Sequence, residues 1–248
     1  MHITHWIPAG EPPRWPCVES WTNLQLPKNA QRRFIFSRGA DPEIHWNKAV
    51  TDFLASDSDW LLSTHNDVVF VPETLTRLLS WNKPLVSALV FMRQSPVVPH
   101  IWNAYTDEQR QAGQYIQRIN DTREWFYDHK EYIRFGPFVM EPRPDNALVE
   151  IDFTSTSCVL IHRTVLESIR KEHAKWFEWD RNPDGTYRGG EDRRFFEYAK
   201  QAGFTAYVDR SCVAGHLCGD IPTSVAEFIA WDSVSTFNST GEQSVNSE

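Results

Sequence analysis

Two glycines followed by two carboxylates, Gly189-Gly190-Glu191-Asp192, open a stretch with helical spacing. Glycine admits a close backbone approach that a side chain would block, so Gly190 is a candidate donor-binding position. A carboxylate at a helix start is placed to take a proton from an attacking hydroxyl, which makes Asp192 the candidate general base. Glu191 would orient the acceptor or hold the loop. Upstream, His65-Asn66-Asp67 lies between two apolar runs, and downstream Gly215-His216 follows another. Asp67, immediately after a buried run, is costly there without a partner. A hard cation such as Mg²⁺ or Mn²⁺ satisfies such a carboxylate and bridges it to substrate phosphates. His216 is a candidate second ligand, since imidazole suits Mn²⁺ better than Mg²⁺. His65 is placed to touch the ribose or phosphate of a donor, and Arg38 and Arg93, each after a strand, to grip a diphosphate. Each residue also has a plainer reading. Glu191 and Asp192 suit a helix dipole, Asp67 a turn, the histidines a packed interior and the arginines a solvated surface. What favours chemistry is that acids and imidazoles recur at three strand ends.

Those residues need a scaffold that gathers strand ends. Apolar runs predict strands at 3–7, 33–37, 59–63, 85–92, 149–153, 158–161 and 204–208. The run 68–71 reads as a continuation of 59–63 or as its partner. Asp41-Pro42-Glu43 starts a helix, with an aspartate cap, a proline in the first turn and an acid at the positive end. Further helices are predicted from Pro72-Glu73, over 163–173, over 191–202 with Gly203 as its stop, and over 223–231. The proline-rich 11–16 reads as loop, and the Ser/Asn/Thr/Glu-rich 236–248 as a disordered tail. Residues 93–148 break the rhythm with Pro96, Pro99, Pro137, Pro142 and Pro144 and a polar, helix-like 106–118. They read as an aromatic-rich insertion within a domain spanning 1–235, forming an acceptor-side wall for which Trp102, Tyr105, Trp125, Phe126 and Tyr127 are candidates. Strands alternating with helices predict a single α/β domain, a mostly parallel sheet with helices on both faces. Ligands in such folds bind at the carboxyl ends of the strands.

Composition narrows the partners. A chain of 248 residues supports one large domain. A net charge of −8 argues against a broad basic surface for nucleic acid or anionic lipid, yet leaves room for a small basic pocket for a phosphorylated ligand. Cys17, Cys158, Cys212 and Cys218 have no CxxC spacing and read as reduced structural thiols. There is no basic-then-apolar leader and no apolar run near the roughly 20 residues of a membrane span, so a cytoplasmic protein is expected. The 11 tryptophans suit a core, or stacking platforms for sugars and bases. No P-loop lysine, dinucleotide glycine spacing or Gly-x-Ser-x-Gly elbow occurs.

The run from Trp46 through Asp59-Trp60-Leu61-Leu62-Ser63-Thr64-His65-Asn66-Asp67 to Val71-Pro72-Glu73-Thr74-Leu75 resembles glycosyltransferases of the GT-A fold, particularly the family 2 type. Leu89–Arg93, Ser157–Arg163, Gly190-Glu191-Asp192 with Phe195, and Gly215-His216 look like that family's following strand, acceptor-side strand, Glu-Asp helix and metal-histidine turn. The match covers roughly 40–92 and 150–218. The resemblance implies a Rossmann-like GT-A domain in which Asp67 coordinates a metal on a nucleotide diphosphate, His216 completes the site and Asp192 is the base. The family's first aspartate is His65 here, which bears on metal use.

The leading expectation is thus a glycosyltransferase that uses Mn²⁺ or Mg²⁺ to move a sugar from a nucleotide-diphosphate sugar, UDP favoured over GDP, to a hydroxyl acceptor with inversion. A catalytically silent module of the same fold that binds a glycan or nucleotide is the alternative, motivated by His65. A nucleotidyltransferase shares the sheet type and metal logic. A nucleic acid acceptor is disfavoured by the charge.

Overall fold

The computed structural model describes residues 1–8, 12–38, 41–104 and 106–241, with side chains to Ser233. The chain begins with β1 (His2–Pro8), α1 (Trp15–Asn23), β2 (Gln31–Ser37), α2 (Pro42–Leu54) and β3 (Trp60–Thr64). Then come β4 (Val68–Val69), α3 (Thr74–Leu79) and β5 (Leu85–Val90). The insertion contains β6 (Trp102–Asn103), α4 (Asp107–Gln111), β7 (Ile116–Gln117), α5 (Ile119–Asp128), a 3₁₀ turn and β8 (Phe138–Val139). After it lie β9 (Leu148–Ile151), β10 (Cys158–His162), α6 (Arg163–Glu172), β11 (Asp180–Arg181) and β12 (Tyr187–Gly189). The chain closes with α7 (Glu191–Gln201), β13 (Ala206–Cys218), β14 (Ile221–Thr223) and α8 (Val225–Gly241).

The body of the sheet has the order β2-β1-β3-β10-β5-β13. β1 is parallel to β2 and β3, and β5 to β13, whereas β10 is antiparallel to both neighbours, β3 and β5. Every strand of the body except β10 therefore runs the same way, as expected of a mostly parallel sheet. β13 also pairs antiparallel with β4, β8, β9 and β14. Thr64 pairs with Cys158, so the carboxyl end of β3 lies beside the start of β10. The carboxyl ends of β1, β2, β3 and β5 share that edge of the sheet.

Helices cover both faces, and alternate residues of each strand divide between them as the pleat requires. Leu61, Val159 and Ile161 join α2, α6 and α7 through Trp46, Phe53, Leu166, Phe195 and Phe196. Leu62, Cys158 and Leu160 face the other way, toward Trp21 of α1 and Leu75 and Leu78 of α3. Asp41 caps α2 by accepting from the Glu43 amide at 3.0 Å, with Pro42 in the first turn. The cysteines are all free.

Several expectations need correction. α1 begins at Trp15 inside the proline-rich stretch read as loop. Pro16 fits its first turn because the amide it lacks has no helical acceptor there. β4 does not continue β3 but pairs with β13, His216 opposite Val68. Gly215 and His216 lie within β13, not after it. The helix predicted over 106–118 is confined to α4, which Thr106 and Gln109 start with a capping box, and Gly113 follows at φ 71°. α8 runs to Gly241, into the segment read as a disordered tail, since no helix breaker separates Val225 from Gly241; residues 242–248 lie outside the described residues.

The insertion shares the main core. Trp125 and Phe126, candidates for an acceptor wall, are buried there with Phe138 and Met140. Trp102 stacks on Phe153 with ring centres 5.6 Å apart, Tyr127 is exposed, and Tyr105 lies outside the described residues. No helix among the described residues is long and apolar enough to cross a membrane.

Candidate functional site

Asp67 is held at the sheet edge by backbone bonds on both sides. The turn out of β3 closes with the Val68 amide donating to the His65 carbonyl at 3.2 Å. The His65 amide donates to the Ser157 carbonyl at 3.0 Å, and the Leu217 amide to the Asp67 carbonyl at 2.7 Å. The turn thereby bridges the approach to β10 and the end of β13. Its consequence is contact between residues far apart in sequence. Asp67 Oδ2 lies 3.1 Å from His216 Nε2 and 3.1 Å from Arg93 Nη1.

His216 has a constrained ring. Its Nδ1 lies 3.3 Å from the Phe91 carbonyl, which only accepts, so the proton belongs on Nδ1. Nε2 is then the ring nitrogen turned to the Asp67 carboxylate, 3.1 Å from Oδ2. A backbone carbonyl that fixes the tautomer behind a metal-facing imidazole nitrogen is a recurring arrangement. Burial would raise the Asp67 carboxyl, but the hydrogen bond and charge of His216, with His65 and Arg93, outweigh it and hold Asp67 down at about 2.

His65 adjoins this pair. Its Nδ1 is 3.4 Å from Ser157 Oγ, and its buried Nε2 has no hydrogen-bond partner among the described residues. Burial lowers its pKa to about 4, His216 adding to the effect and Asp67 opposing it. The ring is therefore neutral at pH 7. His100 is lowered to about 4 by burial, with His216 and His65 contributing, which places a third imidazole in their field. Sequence reasoning missed His100, which carries no motif. It also missed Ser155 and Ser157, whose hydroxyls bond each other beneath His65; four consecutive hydroxyl residues, Thr154 to Ser157, immediately before a strand were the available signal.

Glu191 and Asp192 form a second group. Gly190 is the N-cap of α7, and a Cβ there would meet Asp192 Oδ1 at 2.7 Å. The glycine thus makes room for the carboxylate of its own helix. Asp192 Oδ1 accepts from the Arg193 amide at 2.7 Å, while burial pushes the group up to about 6. Glu191 is pushed up to about 7, chiefly by burial, then by the Asp192 charge, with Asp41 and Glu43 adding. The start of α7 thus faces the start of α2, which leaves the carboxyl edge after β2. Arg38 stands exposed one residue beyond β2. No hydrogen bond or ion pair links Glu191 or Asp192 to the Asp67 group among the described residues, and no set of three or more His, Cys, Asp or Glu gathers for a metal ion among them.

The structure therefore puts Asp67, His216 and Arg93 in direct contact with His65 beside them, while Gly190, Glu191 and Asp192 stand as a separate acidic pair at the start of α7. A carboxylate oxygen and an imidazole nitrogen turned toward each other can share one ion, the remaining positions falling to substrate oxygens and water. Two raised carboxyls at a helix start can exchange a proton near neutral pH.

Comparison with known proteins adds little to these residues. No family model matches the chain, and no curated protein matches it. A solved structure, A197 from STIV, is similar over 89% of this chain and 87% of its own, at 15% identity and a TM-score of 0.47. That likeness is too distant to carry a conclusion about either molecule.

Proposed function

We propose that this protein is a metal-dependent glycosyltransferase of the GT-A type, which moves a sugar from a nucleotide-diphosphate sugar to a hydroxyl acceptor with inversion. The observation that carries the reading is the Asp67–His216 pair, with Nδ1 of the ring tied to the Phe91 carbonyl and Nε2 turned to the carboxylate. The donors fit Mn²⁺ better than Mg²⁺, because one of the two is nitrogen. Bound there, the cation would offset the charge that develops on the leaving diphosphate.

The residues divide the remaining work. Arg93, half-exposed and already paired to Asp67, can turn its guanidinium to phosphate oxygens once the carboxylate is otherwise engaged. His65, neutral at pH 7, has a buried Nε2, unpartnered among the described residues, that can hydrogen-bond the nucleotide once the site is filled. Arg38 adds a cation at the same edge. Asp192, raised toward 6 by burial, is ionised at pH 7 yet basic enough to take the acceptor proton, and its charge in turn helps raise Glu191. The sheet order, with one antiparallel strand inside a parallel body and the residues along its carboxyl edge, supports the same reading.

The test is thermal stability of the full chain against UDP-, GDP-, CMP- and TDP-sugars with and without Mn²⁺. A ligand that binds only the folded state at a hundredfold excess over its Kd stabilises by about 2.7 kcal/mol. A shift that requires Mn²⁺, is largest for a UDP-sugar and is lost in Asp67→Ala is expected. A second reading, a silent glycan- or nucleotide-binding module, is favoured by His65 where the family carries aspartate, and glycan binding without metal or nucleotide-sugar dependence would select it.

A further inference from the structure

A cavity of about 420 Å³ lies between α7 and the insertion helix α4, lined by Arg110, Arg188, Arg193, Arg194, Glu197 and Lys200 among others. α7 presents Arg193, Arg194, Glu197 and Lys200 on one face, β12 supplies Arg188 and α4 supplies Arg110. Two buried carboxylates organise these cations from behind. Asp180 takes Arg188 Nε at 2.7 Å, Arg193 Nη2 at 3.3 Å and Arg194 Nη2 at 2.6 Å. Asp152 takes Arg110 Nη2 at 2.5 Å and Lys200 Nζ at 3.1 Å. Glu197 adds one negative charge to the first group, and the exposed Asp107 pairs with Arg110 at the rim.

Five cations thus meet four carboxylates, Asp180, Glu197, Asp152 and Asp107, which leaves one net positive charge at the opening, on a chain whose net charge is −8. The buried Nε atoms of Arg110 and Arg194 have no partner among the described residues. The missing side chain of Gly189 leaves room for this arrangement: a Cβ there would come 3.1 Å from Arg193 Nη1. Fixed guanidinium forks match the oxygens of a phosphate group, and their carboxylate anchors remove the entropy cost of ordering them on binding. The volume admits a molecule of sugar-phosphate size and not only an ion.

We propose that this cavity holds the phosphate group of a compact phosphorylated acceptor. The acceptor role rests on the glycosyltransferase reading, whereas phosphate binding stands without it. Lys200 and Asp192 are eight residues apart on α7, about 12 Å along its axis at 1.5 Å per residue, and Arg193 of the lining adjoins Asp192 in sequence.

The experiment is calorimetric titration of the full chain with inorganic phosphate, in the absence of Mn²⁺ and at fixed ionic strength. Wild type is compared with Arg188→Gln/Lys200→Gln, whose side chains sit at the open rim, and with Asp67→Ala. Saturable binding in wild type and Asp67→Ala, weakened at least tenfold in the double variant, is expected. Absence of binding to wild type, equal binding by the double variant, or loss of binding in Asp67→Ala each overturns the proposal. Should the double variant lack a cooperative thermal transition, Arg110→Gln on the opposite wall takes its place with the same outcomes. UDP-sugar binding with Mn²⁺ should survive in the double variant, and its loss would assign the cations to the donor. Failure of the glycosyltransferase reading shows separately, as no Mn²⁺-dependent nucleotide-sugar binding beside intact phosphate binding.

Discussion

Asp192 sets function against stability. Its carboxyl is held near 6 in the fold against an ordinary value of 3.8, so the folded state binds the proton more tightly than the unfolded chain. Such a group costs nothing below the unfolded value, and its cost grows as pH rises to the folded value and is complete above it. Asp192→Asn is therefore expected to raise the urea midpoint at pH 8 and to lose that advantage at pH 4. The same variant should reduce transfer by about 10²–10⁴-fold, the usual worth of a general base. A variant that is both fully active and no more stable would remove Asp192 from the chemistry. Gly190→Ala tests the neighbouring requirement. A Cβ at 2.7 Å from Asp192 Oδ1 displaces the carboxylate, so transfer should fall at least tenfold in an assay at saturating donor while the chain stays folded.

At the scale of elements, β13 does the most joining and carries the sharpest test. Its register shifts between Asp209 and Val213, and the shifted residues turn to α3. Arg77 Nε meets Asp209 at 3.1 Å, Arg77 Nη2 meets Ser211 at 2.5 Å, and Trp81 Nε1 donates to Asp209 at 2.6 Å. Arg77→Met leaves Asp209, wholly buried, without its cation, and a loss of about 3–5 kcal/mol in urea unfolding is expected. That bulge also explains a limit of the sequence. The polar Asp209-Arg210-Ser211 interrupts the apolar run, so the strand read as 204–208 continues to Cys218 unseen. The run Cys158–Ile161 announced a strand but not its direction, because apolar alternation carries no sign of polarity along a strand. The start of α2 was legible, since Asp41, Pro42 and Glu43 act through local backbone chemistry. Asp67 and His216 were legible as candidates because each sits beside an apolar run. The ion pair with Arg93, the field of His100 and the cationic cavity depend on tertiary pairing that no local pattern encodes.

Across the whole molecule, two sets of buried groups pull stability in opposite directions between about pH 4.5 and 6. His5, His65 and His100 are lowered to about 3, 4 and 4 by burial, so the unfolded chain takes up protons that the fold refuses and stability falls as pH falls below 6.5. Glu191 and Asp192, raised to about 7 and 6, do the reverse. Three imidazoles outnumber two carboxyls, so the wild-type urea midpoint should fall modestly across this window, and that of Glu191→Gln/Asp192→Asn about twice as steeply. A flat profile in that variant would mean the imidazoles titrate normally. The acidic pair thus offsets part of the acid lability that the buried histidines impose. The placement of β10 has a different consequence, one of timing during synthesis. β10 alone joins β3 to β5, and Cys158 follows its partner Thr64 by about a hundred residues. At about 5–20 residues per second, a ribosome takes roughly 5–20 s to deliver the missing strand. Through that interval the β3 edge has no partner on that side, with Leu61 and Leu62 open to misassembly, so a nascent chain paused before Cys158 should be a client for chaperones.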